Sequence, residues 1–261
     1  MDTGVISAAF GALTQERRFE AIANNLANAD TAGFKRDRIS FADLLHPPTE
    51  PPRQPIPESE AGGPAFLPVG FGRKWDASRV RVTELWADML QGGLQDTGNP
   101  LDLAIEGNGF FKLQTPQGVL YTRRGSFALA QDGTLVSQEG YPLLGEKGQK
   151  LVVRGGGQVN VGRDGSVAVG DDQVGRIELA QFPEKAELTK VGDSLFAASG
   201  DPGPAKLPYI IRQGTLEMSN VNVVEEMVAM VEALRQYETY QKMLQAYGQM
   251  DARSIEVAET R

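Results

Sequence analysis

"NNLANADTAGF", residues 24–34, puts three asparagines into the last turn and a half of a helical pattern and then breaks it. Asparagine is a poor interior helix residue because its short amide competes for the backbone's own hydrogen bonds. Asn28 suits the end of the helix, where asparagine tolerates the left-handed conformation, and Gly33 supplies a second positive-φ turn before Phe34. Capping leaves Asn24 and Asn25 unexplained, since they sit three and four residues earlier on the same face. A buried asparagine at a helix contact penalises every register that leaves its amide unpaired. Both are therefore read as register-setting contacts, in preference to exposed helix-end polars, and Leu26 is the apolar anchor of the turn.

Upstream of this stretch, residues 3–28 carry a three–four alternation of Val5, Ala8, Ala12, Gln15, Phe19, Ile22 and Leu26, the pattern of a coiled-coil seam. A second stripe, Ile6, Ala9, Phe10 and Leu13, runs beside it. Two adjoining apolar stripes exceed what one partner helix covers. The far end of the chain mirrors this. "SNVNVVEE" (219–226) repeats the asparagine device through Asn220 and Asn222. Asn222 with Glu225 forms a capping pair, and Glu225 and Glu226 suit the positive end of the helix dipole. Val223, Met227, Met230, Leu234, Tyr237, Gln241 and Leu244 then continue the alternation; at ~1.5 Å per residue, 222–250 is roughly 43 Å long. Neither seam has a partner nearby in sequence. Pairing the terminal helices with each other buries both, and the surplus stripe of the first is left for other subunits. Isolated helices of this length are marginal in water, so order at the ends is expected to depend on assembly.

Between the helices, 46–64 ("HPPTEPPRQPIPESEAGGP") holds seven of the 15 prolines and reads as an extended connector, more an inert linker than a specific contact. Residues 100–144 read as a β-meander. "LDLAIE" turns at Gly107-Asn108-Gly109 into "FFKLQ", Pro116-Gln117-Gly118 leads to "VLYTR", Gly125 precedes "SFALA", and Asp132-Gly133 and Glu139-Gly140 lead to "TLVS" and "YPLLG". "QVNV", "SVAV" around Arg163-Asp164-Gly165, and "RIELAQF" (176–182) form a second β group. Residues 200–208 read as a return loop and "YIIRQ" (209–213) as the last strand. The predicted fold is α+β: helical segments 1–45 and 216–261 pair as a coiled-coil-like domain, joined through connector 46–75 to a β-rich domain of hairpins and meanders over 76–215.

Composition removes most chemistry. With no cysteine and one histidine, His46, there is no disulfide, thiolate nucleophile, His-based triad or multi-His metal site. A net charge of −8 opposes nucleic-acid binding, which rests on Lys and Arg neutralising phosphates. "GNGFF" (107–111) is a turn and "GEKGQK" (145–150) lacks the Walker spacing. Asp171-Asp172 reads as a solvated turn rather than a calcium loop. Lys35, Arg36 and Arg38 read as a solvated basic loop, in preference to an anionic-lipid site. No catalytic, cofactor-binding or metal site is expected, and no small-molecule substrate. The N-terminus begins acidic and lacks a basic n-region, and no window approaches ~18 apolar residues. The chain is thus expected to be cytoplasmic or exported without a cleaved signal.

"ANNLANADTAGFKRDRISF" (23–41), "NPLDLAIEGNGFFKLQTPQGVLYTRRGSFALAQDGTLVSQEGYPLLG" (99–145) and "LEMSNVNVVEEMVAMVEALRQYETYQKML" (216–244) resemble, in this order, the three signatures of bacterial flagellar axial proteins, the rod and hook subunits. Asn25, Leu26, Asn28, Gly33 and Phe34 match the N-terminal motif; Ser219, Asn220, Val221 and Asn222 match the C-terminal one. The length is short for a hook subunit, and "MDTGVISAAFGAL" and "LQDTGNPLDLAIEG" look more like the proximal-rod FlgF type than the distal-rod FlgG type. The resemblance implies a structural, non-enzymatic subunit of the basal-body rod, whose helices build the core of a tubular polymer (domain 0) with the β region as domain 1. It also implies partners, namely further copies, other rod proteins and the flagellar type III export apparatus, and a periplasmic place of assembly. The implied subunit interface takes in Val5, Ala8, Ala12, Phe19, Ile22, Asn24, Asn25, Leu26, Asn28, Gly33, Phe34, Asn220, Asn222, Val223, Met227, Met230, Leu234, Tyr237 and Leu244. A reading from another class, a β-rich binding module or carbohydrate enzyme oligomerised by its helical ends, predicts converging carboxylates between 100 and 210.

Overall fold

The computed structural model describes residues 2–42, 81–154, 157–170, 172–182, 188–192, 194–198, 200, 203–204 and 209–259. His46, the proline-rich connector, Asp171 and most of the expected return loop lie outside them. Helix α1 spans Asp2–Ala27 and helix α2 spans Val223–Glu259, with a β-rich middle between them, so the α+β class holds. Asn222 caps α2 as its sequence implies: its Oδ1 accepts the N–H groups of Val224 (3.1 Å) and Glu225 (3.4 Å).

The chain divides into two compact units, one drawn from 1–20, 39–84 and 231–261, the other from 21–38 and 85–230. In the first, the two helices pack together: Gly4 and Gly11 of α1 lie against the rings of Tyr247 and Tyr240 of α2. The second unit is built on an antiparallel six-stranded sheet. Its strands run, from edge to edge, Leu188–Lys190, Leu195–Ala198, Gly118–Thr122, Phe110–Thr115, Leu179–Gln181 and Gly203–Pro204. A three-stranded sheet joins Val159–Val161, Ser166–Val169 and Asp172–Arg176, and Phe127–Leu129 pairs with Leu135–Ser137. Asp172 opens a strand, with its side chain exposed.

The strand Phe110–Thr115 organises the packing. Adjacent residues in a strand point to opposite faces, so Phe110 and Phe111 serve different clusters. Phe111 and Leu113 enter a core with Leu103, Ile105, Phe127, Leu135, Leu143, Val167, Ile177, Leu179 and Ile211. Phe110 enters a smaller one with Tyr121, Ala180 and Phe196. Phe110 packs edge-on to Phe182 at 5.4 Å and Phe196 at 5.9 Å, and Phe111 meets Phe127 at 5.2 Å.

Four expectations change. The "LDLAIE" strand is not the first arm of a hairpin: Leu103–Gly107 pairs with Tyr209–Gln213, more than a hundred residues on, in an unbroken five-residue register. Gly107-Asn108-Gly109 therefore carries the chain between two sheets, with Gly107 at φ +103°. "YPLLG" makes isolated bridges through Pro142, Leu143, Leu144 and Gly145 rather than a regular strand. "RIELAQF" is split: Arg176 ends one strand, Ile177 bridges Gly145, and Leu179–Gln181 belongs to the six-stranded sheet. The expected return loop contains a two-residue strand, Gly203–Pro204, on the sheet edge.

Phe111→Ala removes a fully buried ring from the larger core and is expected to cost about 3–5 kcal/mol in urea unfolding. Val119→Ala on the same sheet, at a 40% exposed position, is expected to change stability by less than about 1 kcal/mol.

Candidate functional site

The signature that ends α1 docks, within the second unit, onto the segment that leads into α2. Asn28 lies just past the helix; its main-chain and side-chain N–H groups both reach the Asn24 carbonyl, each at 3.1 Å, and its Oδ1 accepts Thr31 Oγ1 at 3.1 Å. Gly33 follows at φ +71° and donates its N–H to the Glu217 carbonyl at 2.7 Å. A Cβ here would stand 2.3 Å from Arg124 N and 2.5 Å from Arg124 Cα, so both the conformation and the close approach require glycine. Phe34 is fully buried, with Lys190 Nζ 3.7 Å from its ring centroid.

Asn25, 1% exposed, pairs with the Asp37 backbone in both directions, donating Nδ2 to the carbonyl (3.0 Å) and accepting the N–H on Oδ1 (2.7 Å). Asn24 Nδ2 donates to Asp37 Oδ2 at 2.8 Å, and Lys190 Nζ meets Asp37 Oδ1 at 3.0 Å. The two asparagines thus hold the helix end against the strand that begins at Asp37.

Glu217 is the centre of the site. It closes the strand Thr215–Glu217, which pairs with Leu94–Asp96, and its carboxylate is wholly buried. Lys35 Nζ, also wholly buried, donates to Oε1 at 2.6 Å and to the Leu90 carbonyl at 2.6 Å. Arg123 Nη1 donates to Oε2 at 3.1 Å, Nη2 donates to the Gly107 carbonyl at 2.8 Å, and the Gly92 N–H donates to Oε1 at 3.1 Å. Burial lowers the Lys35 pKa from its ordinary value; Glu217 pulls it back up and Arg123 pushes it down. Arg123 is lowered by burial in the same way, against the pull of Glu217.

A second layer joins the same segments. Asn220 accepts the Arg36 N–H on Oδ1 (2.8 Å) and donates Nδ2 to the carbonyls of Asp88 (2.8 Å) and Leu90 (3.0 Å). Arg36 Nε lies 2.6 Å from Glu226 Oε1, an ion pair outside hydrogen-bond alignment, and Arg38 reaches Asp88 at 2.8 Å. Lys35 and Arg36 are therefore not a solvated basic run. Each is matched to a carboxylate supplied more than 180 residues later, which no local pattern reveals. The sequence reading missed Glu217, Arg123 and Asp88 as well, because isolated charges in a β region ordinarily face water.

The expected interface residues divide by place. Ala8, Ile22, Asn25, Gly33 and Phe34 are buried; Val5, Ala12, Phe19, Leu26, Asn28, Asn220, Met230, Tyr237 and Leu244 are half-buried. Asn24, Asn222, Val223, Met227 and Leu234 are exposed. On α2 Met230, Tyr237 and Leu244 of the expected seam are half-buried, while beside them Ala233 is 1% exposed where Leu234 is 43% exposed, and Tyr240 lies against Gly11 of α1. The glycines of α1 leave room for the tyrosine rings of α2.

A groove of about 450 Å³ beside the strand Tyr209–Gln213 holds two carboxylates. Both are engaged: Glu106 by Arg212 at 2.7 Å and Asp96 by Thr215 at 2.9 Å.

Glu217→Gln leaves two buried cations without their counter-charge and is expected to cost about 3–5 kcal/mol in chemical denaturation. Adding Lys35→Met should recover part of that loss, read from a double-mutant cycle. Gly33→Ala is expected to cost more than about 1 kcal/mol, since neither its φ nor the Arg124 backbone gives way.

Three family models match the chain in the order of these elements: "Flagella basal body rod protein" over residues 6–35, "Flagellar hook protein FlgE/F/G D1 domain" over 104–169, and "Flagellar basal body rod FlgEFG protein C-terminal" over 212–257. Among curated relatives, the flagellar basal-body rod protein FlgG of Buchnera aphidicola is 36% identical, covering 90% of this chain and 92% of the relative. FlgG of Borreliella burgdorferi is 35% identical over 94% of each chain, and FlgF of Caulobacter vibrioides is 34% identical over 98% of each. Identity does not divide the FlgF type from the FlgG type. With relatives above 30% identity along nearly the whole chain, and with the matched models covering both docked signatures and the β core, this chain belongs to the flagellar basal-body rod protein family.

Proposed function

We propose that the chain is a structural, non-enzymatic subunit that polymerises through its terminal helices into the rod, the shaft that transmits motor torque. The observation that carries this reading is the apolar surface left outward on both helices. Ile6 and Leu13, one heptad apart on α1, are 42% and 54% exposed; on α2, Val224, Met227, Val228, Val231 and Leu234 are 43–70% exposed, Val224 the most at 70%. Apolar side chains repeating at three and four residues along a helix want a second helical surface. In a rod the neighbouring copies supply it.

In this reading 1–45 and 216–261 form the polymer core, 46–75 the connector and 76–215 the outer β-rich domain. The expected interface residues on both helices meet neighbouring copies or other rod proteins. The junction around Glu217 then ties the end of the N-terminal signature and the strand before α2 to the β core. The subunit leaves the cell through the flagellar export apparatus and assembles in the periplasm, taking no cofactor, nucleic acid or small-molecule substrate. The relatives named FlgF and FlgG support a rod position of either the proximal or the distal type, with the N-terminal pattern favouring the proximal.

Leu26→Asp or Leu234→Asp is expected to abolish rod assembly, and motility with it, in cells carrying the variant as sole copy. Far-UV circular dichroism and exchange protection of 100–180 should stay unchanged. A normal rod from either variant would overturn the proposal.

A further inference from the structure

Glycine in a helix interior costs about 1 kcal/mol relative to alanine, yet the first unit places two glycines one heptad apart on α1. Both receive a tyrosine. A Cβ on Gly11 would fall 2.3 Å from Tyr240 Cε1 and 2.6 Å from its Cζ; a Cβ on Gly4 would fall 2.8 Å from Tyr247 Oη and 2.9 Å from its Cζ. Moving seven residues forward on α1 moves the contact seven residues back on α2, so both contacts obey one antiparallel offset.

We infer that Tyr240 and Tyr247, seated over Gly11 and Gly4, are the residues that fix the register of the helix pair. The alternatives are few. Steps of three or four residues keep the same faces of two helices together, and from Gly11 they lead to Ser7, Ala8, Thr14 or Gln15. Each of these carries a Cβ where the ring now sits. A slide of seven keeps one tyrosine–glycine contact and loses the other, because α1 has no third glycine. Aromatic rings bury a large area with only two side-chain torsions to order, which offsets the helix cost of the glycines. The chosen register also determines which apolar residues stay outward: Ile6 and Leu13 on one helix, Val231 and Leu234 on the other. The lock is a property of the single chain and stands apart from the polymer reading; it can fail while assembly succeeds, and the reverse.

A glycine elsewhere on α2 supplies the control. A Cβ on Gly248 would meet nothing within 4 Å, so Gly248→Ala should act through helix propensity alone. Segment-resolved hydrogen exchange on dilute full-length chain reads the difference. Gly248→Ala is expected to raise protection of 231–250 by about fivefold. Gly11→Ala, the same chemical change, is expected to lower protection of both 2–20 and 231–250 by at least about tenfold, because Tyr240 must leave its seat. In a Tyr240→Ala background the notch is empty, and Gly11→Ala should reverse sign and raise protection. The inference is overturned by Gly11→Ala that leaves protection unchanged or raises it in the unmodified chain, by a loss that persists without Tyr240, or by an unmodified chain unprotected in both segments.

Discussion

The N-terminal signature, the turn at Arg123 and the strand before α2 converge on one buried carboxylate. Two cations, Lys35 and Arg123, sit where water does not reach, and an unpaired charge in such a place is costly. Glu217 neutralises them and takes a third bond from the Gly92 N–H, while its own backbone carbonyl accepts the Gly33 N–H. The charges are satisfied only when the end of the N-terminal signature, the strand before α2 and the turn at Arg123 are in place together. Partial docking would bury charge without its partner, so the arrangement favours all or nothing.

The same logic explains the polar residues that crowd both signatures. Asn25 copies a strand's pattern of one donor and one acceptor against Asp37, and Asn220 does likewise between Arg36 and the carbonyls of Asp88 and Leu90. Side-chain amides are suited to this because each both donates and accepts. They fasten backbone at the ends of regular elements, and an unpaired buried backbone group would cost about as much as the bond they supply.

The two units are held by different means. The β unit has continuous aromatic and aliphatic clusters with an ion network at its edge. Among the described residues, the helical unit has few buried side chains, two tyrosine–glycine seats and much apolar surface left outward. Burial of apolar area is the main source of cohesion in a folded chain, so a unit that leaves so much of it exposed is only partly satisfied by its own residues. That contrast fits a subunit whose β part folds for itself and whose helices are completed by neighbours.

Periodicity along the sequence determined the helices, the turn-rich middle and the α+β class, because helix and turn preferences are local and act over a few residues. It also marked Asn25, Gly33, Phe34 and Asn220 as unusual, although it pictured Asn24 and Asn25 as helix-contact devices where the fold uses them to grip Asp37. Partnerships across long separations belonged to the tertiary structure alone. That Leu103–Gly107 pairs with Tyr209–Gln213 rather than with its neighbour, that Lys35 is buried against Glu217 rather than solvated, and that Ala233 is buried while Leu234 is exposed are each decided by what the rest of the chain brings to that place. A residue's type states which contacts it can satisfy; only the assembled fold decides whether water or a distant side chain satisfies them.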